Sequence, residues 1–121
     1  MLCVCNFFKL FLRWGALAFV YYEDEKYFYV HGGFKPGVYP KDMDPYELIW
    51  IRDEFIDSDY DWGKKVIFGH TAKEILYDGE YTFEPIIRPN KIGIDTAVCG
   101  QGKLTCLELP GETFHFQERL N

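Results

Sequence analysis

Aromatic and β-branched residues fall in short, dense runs separated by turn residues, a pattern that predicts several strands around one stretch of helical periodicity. Ala16 to Glu23 and Lys26 to His31 read as two strands joined by a tight turn at Asp24-Glu25. Gly32-Gly33 through Pro40 is loop by its glycine and proline content. Asp44-Pro45-Tyr46-Glu47 supplies an N-cap acid, proline at the first helical position and an acid three residues after the cap. Leu48, Ile51, Phe55 and Ile56 then recur at three- and four-residue spacing, predicting a helix to about Asp57. Arg52 lies on this apolar stripe. Lys65 to Gly69 is a short buried strand, and a polar stretch follows around Tyr77-Asp78-Gly79-Glu80. Lys91 to Thr96, Lys103 to Leu109 and Thr113 to Gln117 are three further strands, with turns at Gly100-Gln101-Gly102 and Pro110-Gly111. The apolar segment from Met1 to Val20 is split by Lys9 and Arg13 into runs too short to span a bilayer, and it lacks the residue order of a cleaved leader. It reads as a helix that packs on another surface.

His31 and His70 each end an apolar run and are followed at once by small residues, in Tyr-Phe-Tyr-Val-His31-Gly-Gly and Val-Ile-Phe-Gly-His70-Thr. Neutral imidazole is the commonest protein metal ligand, and side chains at the carboxyl edge of a sheet face a cleft from rigid backbone. The two histidines are therefore candidate ligands of one shared ion, their nearest nitrogens about 3–5 Å apart, since each would bond it at about 2.1 Å. Two hydrogen-bonded histidines without a ligand fit the same placement. A guanidinium leaving an apolar stripe needs an anion, which makes Arg52 a candidate phosphate-binding residue. Its alternative fate is to snorkel and pair with Glu47, Asp53 or another surface acid.

The 121 residues and a net charge of −6 allow at most one domain, without the basic stripe that counterion release to nucleic acid requires. A bound metal reverses the local sign, so an anionic substrate remains compatible with that charge. Cys3, Cys5, Cys99 and Cys106 lack the density and paired spacing of a disulfide-stapled secreted domain, which predicts a reducing, cytoplasmic compartment. Cys3 and Cys5 have no second pair with which to close a soft-metal site. Repeats, low-complexity tracts and linkers are absent.

Five segments in order, Val30-His31-Gly32-Gly33, Leu48-Ile-Trp50-Ile-Arg52, Val66-Ile-Phe-Gly69-His70-Thr71, Asn90-Lys-Ile-Gly-Ile-Asp95-Thr96 and Gly102-Lys-Leu-Thr-Cys-Leu-Glu108-Leu, resemble the C-terminal half of calcineurin-like metallophosphoesterases. Within that superfamily the bacterial and phage-type serine/threonine protein phosphatases are most similar. The resemblance covers roughly Tyr21 to Phe116, making residues 1–121 a single partial domain. It implies an α+β fold, half of a two-sheet β-sandwich flanked by helices, with a dinuclear centre at the strand ends. It also implies phosphomonoester hydrolysis by a metal-activated hydroxide. By the same resemblance His31 and His70 match two ligands of one metal, and Arg52 matches the arginine that grips phosphate oxygens. The implied cofactors are two divalent ions in the complete domain, manganese or iron with zinc. The implied substrate is a phosphoprotein or a small phosphate ester, with neither nucleic acid nor membrane as partner.

The family's Asp-x-His, Gly-Asp-x-x-Asp-Arg-Gly and Gly-Asn-His-Glu or -Asp motifs do not occur here, and Ala97 stands where glycine is usual. The missing motifs belong to the N-terminal half, so the expected partner is that half as a separate chain, and activity of this chain alone is in doubt. Two other readings share these motifs: a non-catalytic remnant or binding module of the same fold, and a symmetrical dinucleoside-polyphosphate hydrolase.

Overall fold

The computed structural model describes residues 2–5 and 20–120. Its elements in chain order are β1 (Leu2–Cys5), β2 (Tyr21–Glu23), β3 (Tyr27–Val30), a 3-10 turn (Pro40–Asp42), α1 (Pro45–Trp50) and α2 (Asp53–Ile56). There follow β4 (Lys65–Phe68), β5 (Glu74–Tyr77), β6 (Glu80–Phe83), β7 (Ile86–Arg88), β8 (Lys91–Gly93), β9 (Leu104–Leu109) and β10 (Thr113–Gln117). The fold is mixed α+β and mostly strand. One sheet has the order β2-β3-β4-β8-β7, and a second the order β1-β9-β10. β5 and β6 form a separate hairpin.

The centre of the larger sheet is parallel, with Val30 opposite Phe68 and Phe68 opposite Gly93. All four residues of β3 are buried because each of its faces meets a core. Tyr27 and Tyr29 join Ile67, Ile92, Leu107 and Leu109 between the two sheets. Phe28 and Val30 join Phe34, Leu48, Phe55 and Phe68 under the helices. Such doubly covered strands appear in sequence as continuous apolar runs. β9, covered on one face, alternates instead, with Thr105, Leu107 and Leu109 inward.

Three features differ from the sequence reading. Leu2–Cys5, expected within a helix, is a strand antiparallel to β9; the rest of that expected helix, and the first part of the Ala16 to Glu23 strand, fall outside the described residues. β7, between Pro85 and Pro89, and the β5–β6 hairpin were not anticipated. Asp78 and Gly79 take φ of 51° and 83°, so the apparently polar stretch is a two-residue turn between strands.

The third difference bears on the candidate site. The helix expected up to Asp57 ends at Trp50 and restarts at Asp53. Gly32 and Gly33 donate backbone N–H bonds to the Leu48 carbonyl at 2.9 and 3.4 Å, diverting it from the helical ladder. A β-carbon on Gly32 would lie 2.6 Å from the Ile49 carbonyl oxygen, so only glycine lets the chain after β3 approach α1 this closely.

Among the described residues no helix is long and apolar enough to cross a membrane. Cys99 is a free, exposed cysteine, whereas Cys106 is disulfide-bonded. This disulfide runs against the reducing compartment expected from the spacing of the four cysteines. Spacing along the chain could not show that β1 pairs with β9, which sets Cys5 opposite Cys106 in register.

Candidate functional site: two imidazoles at the sheet edge

His31 follows the last residue of β3, and its carbonyl accepts the Gly69 N–H at 2.9 Å, extending the β3–β4 pairing by one step. His70 then takes φ of 66°, a left-handed conformation rare for a residue with a β-carbon. Its ring meets that of His31 at a centroid separation of 4.9 Å. His31 Nε2 lies 3.2 Å from His70 Nδ1. The structure thus brings together the two histidines that stand 39 positions apart in sequence.

Trp50, at the last position of α1, packs edge-on against His70 with centroids 5.3 Å apart and planes at 85°. His70 Nε2 is buried, and no described group offers it a hydrogen bond. Burial lowers the pKa of His31 to about 4, with His70 and Arg52 acting in the same direction and Asp95 opposing. Burial, then Arg52, also lowers His70, again against Asp95. At neutral pH both rings are therefore uncharged, the form in which imidazole binds metal.

Arg52 occupies the break between the helices, with φ of −130° and ψ of −107°. It is exposed, so the apolar stripe on which the sequence placed it does not exist as one continuous helical face. Its alternative partners are engaged elsewhere: Glu47 pairs with Lys35 at 3.6 Å, and Asp53 lies 3.9 Å from Lys73. Among the described residues the Arg52 side chain makes no ion pair, and its charge acts on both imidazoles. That arrangement suits capture of an anion beside the histidines.

The segment carrying Arg52 is held from beneath by residues that sequence reasoning gave no individual role. Lys91 is fully buried, and its ammonium donates to the carbonyls of Ile56 at 3.1 Å and Ser58 at 2.6 Å, as well as to that of Phe55. It also lies 4.6 Å from the centre of the Phe55 ring. Asn90 Nδ2 donates to Ser58 and Tyr60 carbonyls, each at 3.0 Å, and Arg88 donates to that of Ile56 at 2.7 Å. Together they occupy the carbonyls that a short helix leaves unpaired at its C-terminus. The one sequence signal was a lysine at the start of an otherwise apolar strand.

Two neutral nitrogens 3.2 Å apart fit a shared divalent ion bonded to each at about 2.1 Å. An N–H···N hydrogen bond accounts for the same distance. Among the described residues no three His, Cys, Asp or Glu side chains gather as a metal-holding group. No protein-family model, curated protein or solved structure matches the chain.

Proposed function

We propose that this chain carries part of the active site of a metal-dependent phosphomonoester hydrolase of the serine/threonine protein phosphatase type. The observation that supports this reading best is the convergence of His31 Nε2 and His70 Nδ1 at 3.2 Å, within reach of the Arg52 charge. The substrate class is a phosphoprotein or small phosphate ester. When bound, a divalent ion, manganese or iron with zinc, supplies positive charge for phosphate oxygens and lowers the pKa of water. The chain's own residues do the rest of the work. His31 and His70 offer uncharged nitrogens without first losing a proton. Arg52 offers a planar guanidinium that can meet two phosphate oxygens at once. Trp50 packs edge-on against one side of His70.

The lack of a third ligand among the described residues favours a second reading, a binding module of the same fold that holds phosphate or metal without turnover. The first reading, and the second wherever the module holds metal, predict weak 1:1 binding of Mn²⁺, since two imidazoles fall short of the three or four protein ligands of a closed site. Isothermal titration should show that binding, and both His31→Ala and His70→Ala should abolish it. Release of p-nitrophenol from p-nitrophenyl phosphate should stay at background with added Mn²⁺. Unchanged Mn²⁺ affinity in either alanine variant would refute the shared-ion reading. Turnover well above that of His70→Ala would show that this chain alone completes a working centre and would exclude the binding module.

A further inference from the structure

We infer that Asp95 is a third component of this edge, a positioning carboxylate that orients water around a divalent ion held by His31 and His70 without bonding the ion itself. The inference rests on the metal reading of the histidine pair. Three neighbouring parallel strands, β3, β4 and β8, end at one edge of the sheet. Phe68 and Gly93 are opposite in register, so His70 and Asp95 each stand two residues past the last paired position of adjacent strands. The Ile94 N–H donates to the Phe68 carbonyl at 2.9 Å, which continues the pairing almost to the two side chains.

The carboxylate is fixed by the loop that follows it. Asp95 Oδ1 accepts the Ala97 N–H at 3.0 Å while Ala97 holds φ of 58°. Thr96, buried next door, donates to the Lys103 carbonyl at 2.7 Å and shares a hydrogen bond of 2.6 Å with Thr105. Asp95 is half-buried, and among the described residues it forms no ion pair. A fixed carboxylate that pairs with no cation among the described residues, at the same sheet edge as two nitrogen donors, favours a hydrated dication at that edge. Carboxylates that orient bound groups from just outside a coordination sphere are typically worth about 10–100-fold in metal affinity.

Asp95→Asn separates this role from a purely structural one, because the amide oxygen keeps the bond to the Ala97 N–H while the charge is lost. Titrating Mn²⁺ into the purified chain at low ionic strength should give at least about tenfold weaker binding in Asp95→Asn than in the parent. Circular dichroism and thermal midpoint should be unchanged. Asp95→Ala, which also loses the turn bond, should weaken binding no less than Asp95→Asn. Parent-like affinity in Asp95→Asn would overturn the inference and leave the histidine site standing. Absence of Mn²⁺ binding in the parent would instead remove the metal reading, and this inference with it.

Discussion

Gly33→Ala is expected to cost more than about 3 kcal/mol, a large fraction of the stability of an ordinary domain. Gly33 has φ of 148°, a region in which a β-carbon is strained by about 1–3 kcal/mol. The added carbon would also lie 2.2 Å from Cδ1 of Phe55, which is wholly buried among Phe34, Phe68 and Trp62. Overpacking of such a site costs about 1–3 kcal/mol more. Gly37→Ala is the matched control: its φ is 77°, but nothing lies within 4 Å of the added carbon. It should lose only the backbone share, about 1 kcal/mol. Urea denaturation of both variants measures the difference, and equal losses would refute the role assigned to Phe55.

Lys91→Met is expected to lower stability by about 1 kcal/mol at pH 7, because the Phe55 carbonyl loses its side-chain donor while keeping the Ser58 N–H at 3.3 Å. It should also change how stability depends on pH. Burial, with Arg88 adding to it, lowers the Lys91 pKa to about 8 from an ordinary value of 10.5. Between those values the unfolded chain holds more protons than the folded one. The lysine's contribution to stability is therefore complete above the unfolded value and is lost as the pH falls towards about 8. In the parent this adds on the order of 2–3 kcal/mol of stability from pH 8 to pH 10. Above that range Tyr29 acts in the opposite direction, since burial and the hydrogen bond to Asp24 raise its pKa far above the usual phenol value. Denaturant titrations at pH 8, 9 and 10 should show a steeper rise in the parent than in Lys91→Met. Parallel curves would mean that the ammonium is not desolvated.

The strand-end histidines were legible in the sequence because apolar runs mark doubly buried strands, and the residue after such a run must lie at a sheet edge. That both edges face the same way follows from parallel pairing, which the pattern of residues does not encode. Arg52 was placed correctly along the chain but on the wrong kind of backbone. Helical periodicity from Leu48 to Ile56 is real in the sequence, yet the Leu48 carbonyl bonds to Gly32 and Gly33, and that contact spans too much sequence for local spacing to reveal. Asp78-Gly79 carried a hairpin signal, obscured because all of Glu74–Tyr77 and half of Glu80–Phe83 are exposed and neither arm alternates. Lys91 and Asp95 lay inside a segment read as a strand and matched as a whole, in which neither charged residue was given a role of its own.

β8 and the residue pair beyond it join two tasks in five residues. Lys91 secures the helix segment next to Arg52, and Asp95 stands at the edge with the imidazoles. In between, Ile92 and Ile94 are buried between the sheets, and Gly93 lies where a β-carbon would strike the Phe68 ring at 2.7 Å. A slip of one residue would turn Lys91 and Asp95 over together and drive their apolar neighbours out of the core. The spacing between guanidinium, imidazoles and carboxylate is thus tied to the register of a fully buried strand. A ligand arriving at this edge would meet a template already set by the core, and its affinity would carry little cost for ordering the protein.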